Sequence, residues 1–168
     1  MKRRYFLGLA VLLVAPARAK QSAAWYRHQD KNGRFSANFP TAPKQKQQKD
    51  SSPIGQVVTT IVTAQGLGGE FTVTYSDLPA AATMFGTGEV FENAKNSLLN
   101  DAGGNQVSWT NISQYGPGKE LRYEMVKRIG VCQIYLVGQR LYVADVKVQN
   151  TKANAAINTF FANFAIQK

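Results

Sequence analysis

The chain has 168 residues, with twenty Lys and Arg against ten Asp and Glu, a net charge of +10, and a single Cys and a single His. One cysteine excludes an intramolecular disulfide, and one histidine excludes a multi-histidine metal centre. No G-x-S-x-G, S-x-x-K, H-E-x-x-H or phosphate-loop pattern occurs, so the sequence motifs of common hydrolases and nucleotide binders are absent.

Lys2, Arg3 and Arg4 form a positive start, Leu7 to Ala15 is apolar, and Ala17, Arg18 and Ala19 have the A-x-A form of a leader-peptidase site. The apolar run is shorter than the ~20 residues that a membrane span needs. The expected organisation is a signal peptide over 1–19, a short lead over 20–24, and one domain over 25–168, with no transmembrane segment in the mature chain. Arg3, Arg4, Phe6 and Leu7 fit the twin-arginine export motif, although Lys2 stands where that motif usually has Ser or Thr. An ordinary secretory signal and a twin-arginine signal both remain open, and either sends the chain to the bacterial periplasm or beyond. Loss of Lys2, Arg3, Arg4 and Arg18 leaves sixteen bases against ten acids, a net +6. That excess favours an acidic partner or an anionic envelope surface. Lys44, Lys46 and Lys49 stand among glutamines without interleaved aromatics, which suits a solvated loop or sheet edge and argues against nucleic acid as the partner.

Trp25 and Tyr26 open the domain, and Asn32 with Gly33 marks a turn. Phe35, Ala37 and Phe39 alternate as a half-buried strand that Pro40 and Pro43 end. A polar stretch runs to about Gly55. Gln56 to Ala64 is a Val/Ile/Thr strand, Gly66, Gly68 and Gly69 form a turn, and Phe71, Val73 and Tyr75 point inward from a second strand, with Thr72, Thr74 and Ser76 outward. A helix is expected over 88–102, with Val90, Phe91, Ala94, Leu98 and Ala102 on one stripe, Thr87 as its cap and Gly103 with Gly104 as its stop. Strands then follow over 106–115, 120–128, 131–137 and 140–148 as a meander. Gly138 and Gln139 suit a type II′ turn that sets Tyr135 against Tyr142 and Ile134 against Val143. A last helix spans 151–161, with Ala153, Ala156, Ile157, Phe160 and Phe161 on its buried stripe, and Phe164 and Ile166 extending the apolar end. This order predicts an α+β domain: a mostly antiparallel sheet of six or seven strands with helices on its faces.

Several phrases together carry a resemblance. They are Gly33 to Ser36 with Phe39 and Pro40, Tyr75 to Pro79, Gly116 to Leu121, Ile134 to Tyr142, and Phe160 to Phe164. Their layout resembles small exported bacterial domains of the PsbP-like fold family, over about Trp25 to Ile166. PsbP itself is an extrinsic subunit of photosystem II, and a relative of that fold binds a nuclear-transport GTPase. The resemblance implies an α/β/α sandwich and a binding or accessory role. It carries no functional residue over.

His28 would have to serve any Ser-His-Asp or Cys-His arrangement, yet its polar neighbourhood reads as surface or N-terminal loop. Cys132 shares a face with Ile134 and Leu136 and reads as a small packed hydrophobe. The same hairpin register sets Asp145 across from it, where a carboxylate raises rather than lowers a thiol pKa. That end of the hairpin is expected to reach solvent. The aromatics Trp25, Tyr26, Trp109, Tyr115, Tyr123, Tyr135 and Tyr142 would make a partner surface if several lined one exposed face. No catalytic residue, metal site or cofactor is expected. The leading expectation is a non-enzymatic exported domain that binds a protein or envelope partner. The alternative is a binder of a lipid or cofactor between helix and sheet, and an unrecognised enzyme is the third reading.

Overall fold

The computed structural model describes residues 24–52, 55–84, 86–149 and 153–167. The leader positions Arg3, Arg4, Phe6, Leu7, Ala17 and Ala19, and the expected helix start at Thr151, lie outside the described residues.

In chain order the elements are β1 (Tyr26–Asp30), β2 (Phe35–Phe39), β3 (Lys44–Ser52), β4 (Gly55–Gly66), β5 (Gly69–Asp77), α1 (Ala80–Thr83), α2 (Thr87–Ala102), β6 (Asn105–Ile112), β7 (Gly118–Met125), β8 (Arg128–Val137), β9 (Arg140–Gln149), α3 (Ala153–Ala162) and β10 (Ala165–Ile166). The large sheet has seven antiparallel strands in the order β3-β4-β5-β9-β8-β7-β6, and β1, β2 and β10 form a small second sheet. This is the expected α+β class. The β4–β5 hairpin and the β6-to-β9 meander form as the pattern predicts. Tyr135 pairs with Tyr142 and Ile134 with Val143, and Gly138 supplies the left-handed φ of 62° that the two-residue turn requires.

Four expectations are changed or narrowed. The polar stretch before Gly55, for which a loop and a sheet edge were both open, is the edge: the nine-residue strand β3, paired with β4 along its length. It lacks apolar alternation because all of its side chains from Lys44 to Lys49 are exposed. The strand over Phe35–Phe39 joins the small sheet, against β1 and β10, rather than the large one. Thr87 is the first helical residue of α2, not its cap; Gly86 holds the cap position with no side-chain bond. The opposite end follows expectation, with Gly103 left-handed at φ 60°.

The fourth change is the β7–β8 turn. It falls at Val126 and Lys127, not at Ile129 and Gly130, and Lys127 adopts φ 62°. Gly130 sits inside β8, opposite Tyr123. A Cβ there would lie 2.1 Å from the Tyr123 ring, so this glycine exists to let the ring lie across the backbone. Gly130→Ala is expected to cost about 2 kcal/mol through forced displacement of that ring. Chemical denaturation checks it, and an unchanged midpoint would mean that the ring has room to move aside.

Period-2 alternation divides the large sheet between two cores. On one face, Val62, Phe71, Val73, Tyr142 and Val146 pack with Phe35 and Phe39 of β2 and Phe160 of α3. On the other face, Leu121, Cys132, Ile134 and Leu136 pack under Phe91 of α2. One end of the first face is pinned by Arg140, whose guanidinium donates to both Asp77 carboxylate oxygens at 2.6 Å and to the Asn32 carbonyl at 2.7 Å.

The placement of α2 follows from topology. The chain leaves β5 near the middle of the sheet and must reach β6 at the far edge, past β9, β8 and β7. That is four strand spacings, roughly 19 Å. The chain must also return from the Asp77 end of β5 to the opposite end of the sheet, where Asn105 starts β6; the sixteen-residue α2, about 24 Å long, makes that return while packing on β7 and β8. The part of this face formed by β3, β4 and β5 lies outside the path of the helix, and β9 lies at its margin, where Leu141 and Val143 join the α2 cluster.

Candidate binding groove beside helix α2

The uncovered half-face and the flank of α2 enclose a trough of about 480 Å³, open to solvent. Ala94, Ser97, Leu98 and Asp101 of α2 form one wall, and Lys46 and Gln48 of β3 lie at the other side. The floor combines threonine hydroxyls (Thr59, Thr63, Thr72 and Thr74) with an aliphatic strip of Ile61, Leu141 and Val143. Thr72 and Thr74, which alternation points outward, are therefore half-buried groove floor, and Ser76 is buried. Thr63 and Thr72 face each other across β4 and β5 with hydroxyls 3.0 Å apart.

One end of the floor is ionic. Asp145 is 5% exposed and Cys132, its cross-strand partner, is 0% exposed, so this part of the hairpin is interior and the expectation that it reaches solvent is overturned. Cys132 packs with Leu121 and Ile134 beneath Phe91 of α2, and Asp145 is enclosed at the trough floor by Tyr123 and Lys147. The Tyr123 hydroxyl donates to Asp145 Oδ1 at 2.8 Å. Lys147 Nζ lies 3.5 Å from Asp145 Oδ2 and 3.3 Å from Glu70 Oε1, and Gln65 donates to the other Glu70 oxygen at 2.7 Å.

Burial pushes the Asp145 carboxyl up to about 6, against the opposing pull of Lys147 and the Tyr123 bond. Burial and the Asp145 charge raise the Tyr123 phenol. Burial, then the Asp145 charge, push the Cys132 thiol well up. For Lys147 burial works to lower the pKa, but the Asp145 and Glu70 carboxylates outweigh it and the net shift is upward. Cys132 is thus held as a thiol, and a thiol is a poor nucleophile.

The other candidate residues do not converge on this trough. His28 lies in β1, not in a loop; it is half-buried, its ring 5.8 Å from Phe35 and 5.9 Å from Phe39, and its Nε2 is buried without a hydrogen-bond partner. Tyr123, Tyr135 and Tyr142 are buried and Tyr26 is exposed, so the aromatics do not gather on one open face. Trp109 locks α2 to the edge strand β6: its Nε1 donates to Glu92 Oε1 at 2.8 Å, and the Lys95 and Lys119 ammonium groups stand 5.2 and 5.4 Å from its ring centre. Trp25 borders a smaller cleft of about 380 Å³ against Ala155, Ala156 and Leu67 on the opposite side. Among the described residues no group of three His, Cys, Asp or Glu side chains could hold a metal ion, and no helix is long and apolar enough to cross a membrane.

Sequence reading found Cys132 and Asp145 as a pair but missed the trough. The one signal that could have exposed it is the run of threonines at alternating positions, which suits a face that is neither core nor bulk solvent.

A seven-stranded antiparallel sheet with α2 on one face, and α3 with a small sheet on the other, defines a PsbP-like α/β/α sandwich. The solution structure of cyanobacterial PsbP (CyanoP) from Synechocystis sp. PCC 6803 matches with a TM-score of 0.58, covering 91% of this chain and 98% of that chain at 14% sequence identity. At that identity the likeness shows the fold. No protein-family model and no curated protein matches the chain.

Proposed function

We propose that this chain is an exported, non-enzymatic binding module that engages a protein or envelope partner through the trough between α2 and the uncovered half of the large sheet. The trough itself carries the reading. It is a solvent-open concavity whose floor mixes hydroxyl, aliphatic and ionic groups, the mixture that recognition surfaces use. The chain's single cysteine, Cys132, does not line it and is buried and held protonated, and the one histidine belongs to the small sheet.

The alternative occupant is a lipid or cofactor, favoured by a position between helix and sheet. An enclosed apolar cavity would suit such a ligand better than an open trough with four threonines and five charged residues on its lining.

A photo-crosslinking side chain placed at Thr72 should give one discrete protein adduct in intact cells, and the same group at Gln139 in the β8–β9 turn should give none. An adduct of small mass at Thr72 would assign the trough to the lipid or cofactor. Equal crosslinking at both positions, or none at either, would count against a trough partner.

A further inference from the structure

The two edges of the large sheet are built differently. The β6 edge is interrupted by a bulge between Gln106 and Ser108 and clamped to α2 through Trp109. Bulges and covering elements are the usual ways of closing an edge to further pairing. The β3 edge has neither. Its register with β4 runs without a break from Lys44 opposite Thr63 to Ser52 opposite Gly55, and no described strand lies outboard of it. No proline falls within Lys44–Ser52. The result is a straight edge of roughly 30 Å. Gln47 Nε2 donates to Thr60 Oγ1 at 3.3 Å, which holds the strand in register on its inner side.

We propose that β3 is an acceptor edge that takes an extended acidic segment of a partner polypeptide as an eighth strand. This rests on the binding-module reading and names the chemistry of its partner. Lys44, Lys46 and Lys49 are exposed, and Asp50 is the one acid in the strand. Alternation places Lys44 and Lys46 on the trough side and Lys49 on the other. An incoming strand is therefore bracketed by ammonium groups above and below. The strand has no apolar side chain, so recognition would come from main-chain pairing and charge.

Edge lysines commonly repel further strands. Here they select. A second copy of β3 would bring lysines against lysines, and like charges across a ladder destabilise it. An acidic strand meets the opposite situation.

The test is selection of a phage-displayed library of random decapeptides on the mature protein at low salt. Enriched peptides should be rich in Asp and Glu. Their binding should weaken about tenfold in the triple variant Lys44→Gln, Lys46→Gln, Lys49→Gln, as three exposed charge pairs of ~0.5 kcal/mol each imply. Their amide shift changes should centre on β3. Exposed Lys→Gln changes leave the core intact, and an unchanged melting curve confirms it. Three results overturn the proposal: no acidic enrichment over the starting library, equal binding to the triple variant, or a concentration-dependent dimer that uses the β3 edge. A Thr72 crosslink that persists in the triple variant, beside any of these, sinks the edge proposal and leaves the binding-module reading standing.

Discussion

Phe160→Ala is expected to destabilise the protein by about 4 kcal/mol, the usual scale for deleting a fully buried aromatic ring. Phe160 is 0% exposed. Its ring centre lies 5.7 Å from that of Phe39, 5.5 Å from Phe71 and 5.3 Å from Phe161. These rings join three layers: α3, the small sheet and the large sheet. The loss should therefore extend beyond one cavity. α3 leads directly into β10, whose two residues pair with Ser36 and Phe35, and Gln167 N donates to the Arg34 carbonyl at 2.8 Å. Denaturant unfolding should show the full loss, and amide exchange should rise first in β10 and β2. A loss below about 1 kcal/mol would mean that the neighbouring rings close the gap, which rigid ring packing on three sides argues against.

The second large effect is a pH dependence of the opposite sign to ordinary acid denaturation. Asp145 titrates near 6 in the folded protein because burial disfavours its charge, against an ordinary value of 3.8. Between about pH 4 and pH 6 the folded state keeps the proton and the unfolded state does not, so folding stability from this group falls as pH rises. The contribution is fully present below the unfolded pKa and is lost through the folded one, and the difference is roughly 3 kcal/mol. Asp77 works the other way, because the hydrogen bond from Arg140 lowers its pKa, and its exposure keeps the effect small.

Asp145→Asn isolates the term. Asparagine can still accept the Tyr123 hydroxyl bond but cannot ionise. Near pH 4 the two proteins should be closely matched. Toward neutral pH the variant should gain on the wild type by roughly 3 kcal/mol. A stability difference that stays flat across this window would mean that Lys147 fully offsets the burial of the carboxylate.

Much of the architecture was legible along the chain. Phe71, Val73 and Tyr75 declared their inward face, the stripe from Val90 to Ala102 declared α2, and Gly138 declared the β8–β9 turn. Two stretches declared less. The break expected between Arg128 and Val131 falls instead at Val126 and Lys127, because Gly130 serves close approach to the Tyr123 ring rather than a turn, and only that ring shows it. The polar run of β3 left a solvated loop and a sheet edge both open, because a strand wetted on both faces has no hydrophobic period to display; the structure makes it the edge. For the trough, the Cys132–Asp145 register was readable from the hairpin. Their burial was not, since it depends on Leu121, Tyr123 and α2, which the hairpin does not contain.

Local order, with the turns, the amphipathic faces and the cross-strand partners within each hairpin, follows from side-chain alternation and turn geometry over a few residues. These are short-range steric and solvation effects that each segment carries with it. Which hairpins become neighbours, and where the crossover from β5 to β6 lays its helix, depend on how the whole set of apolar faces can be covered at once. That arrangement alone leaves half of one sheet face open, turns outward-pointing threonines into a groove floor, and places a carboxylate where water cannot stabilise its charge.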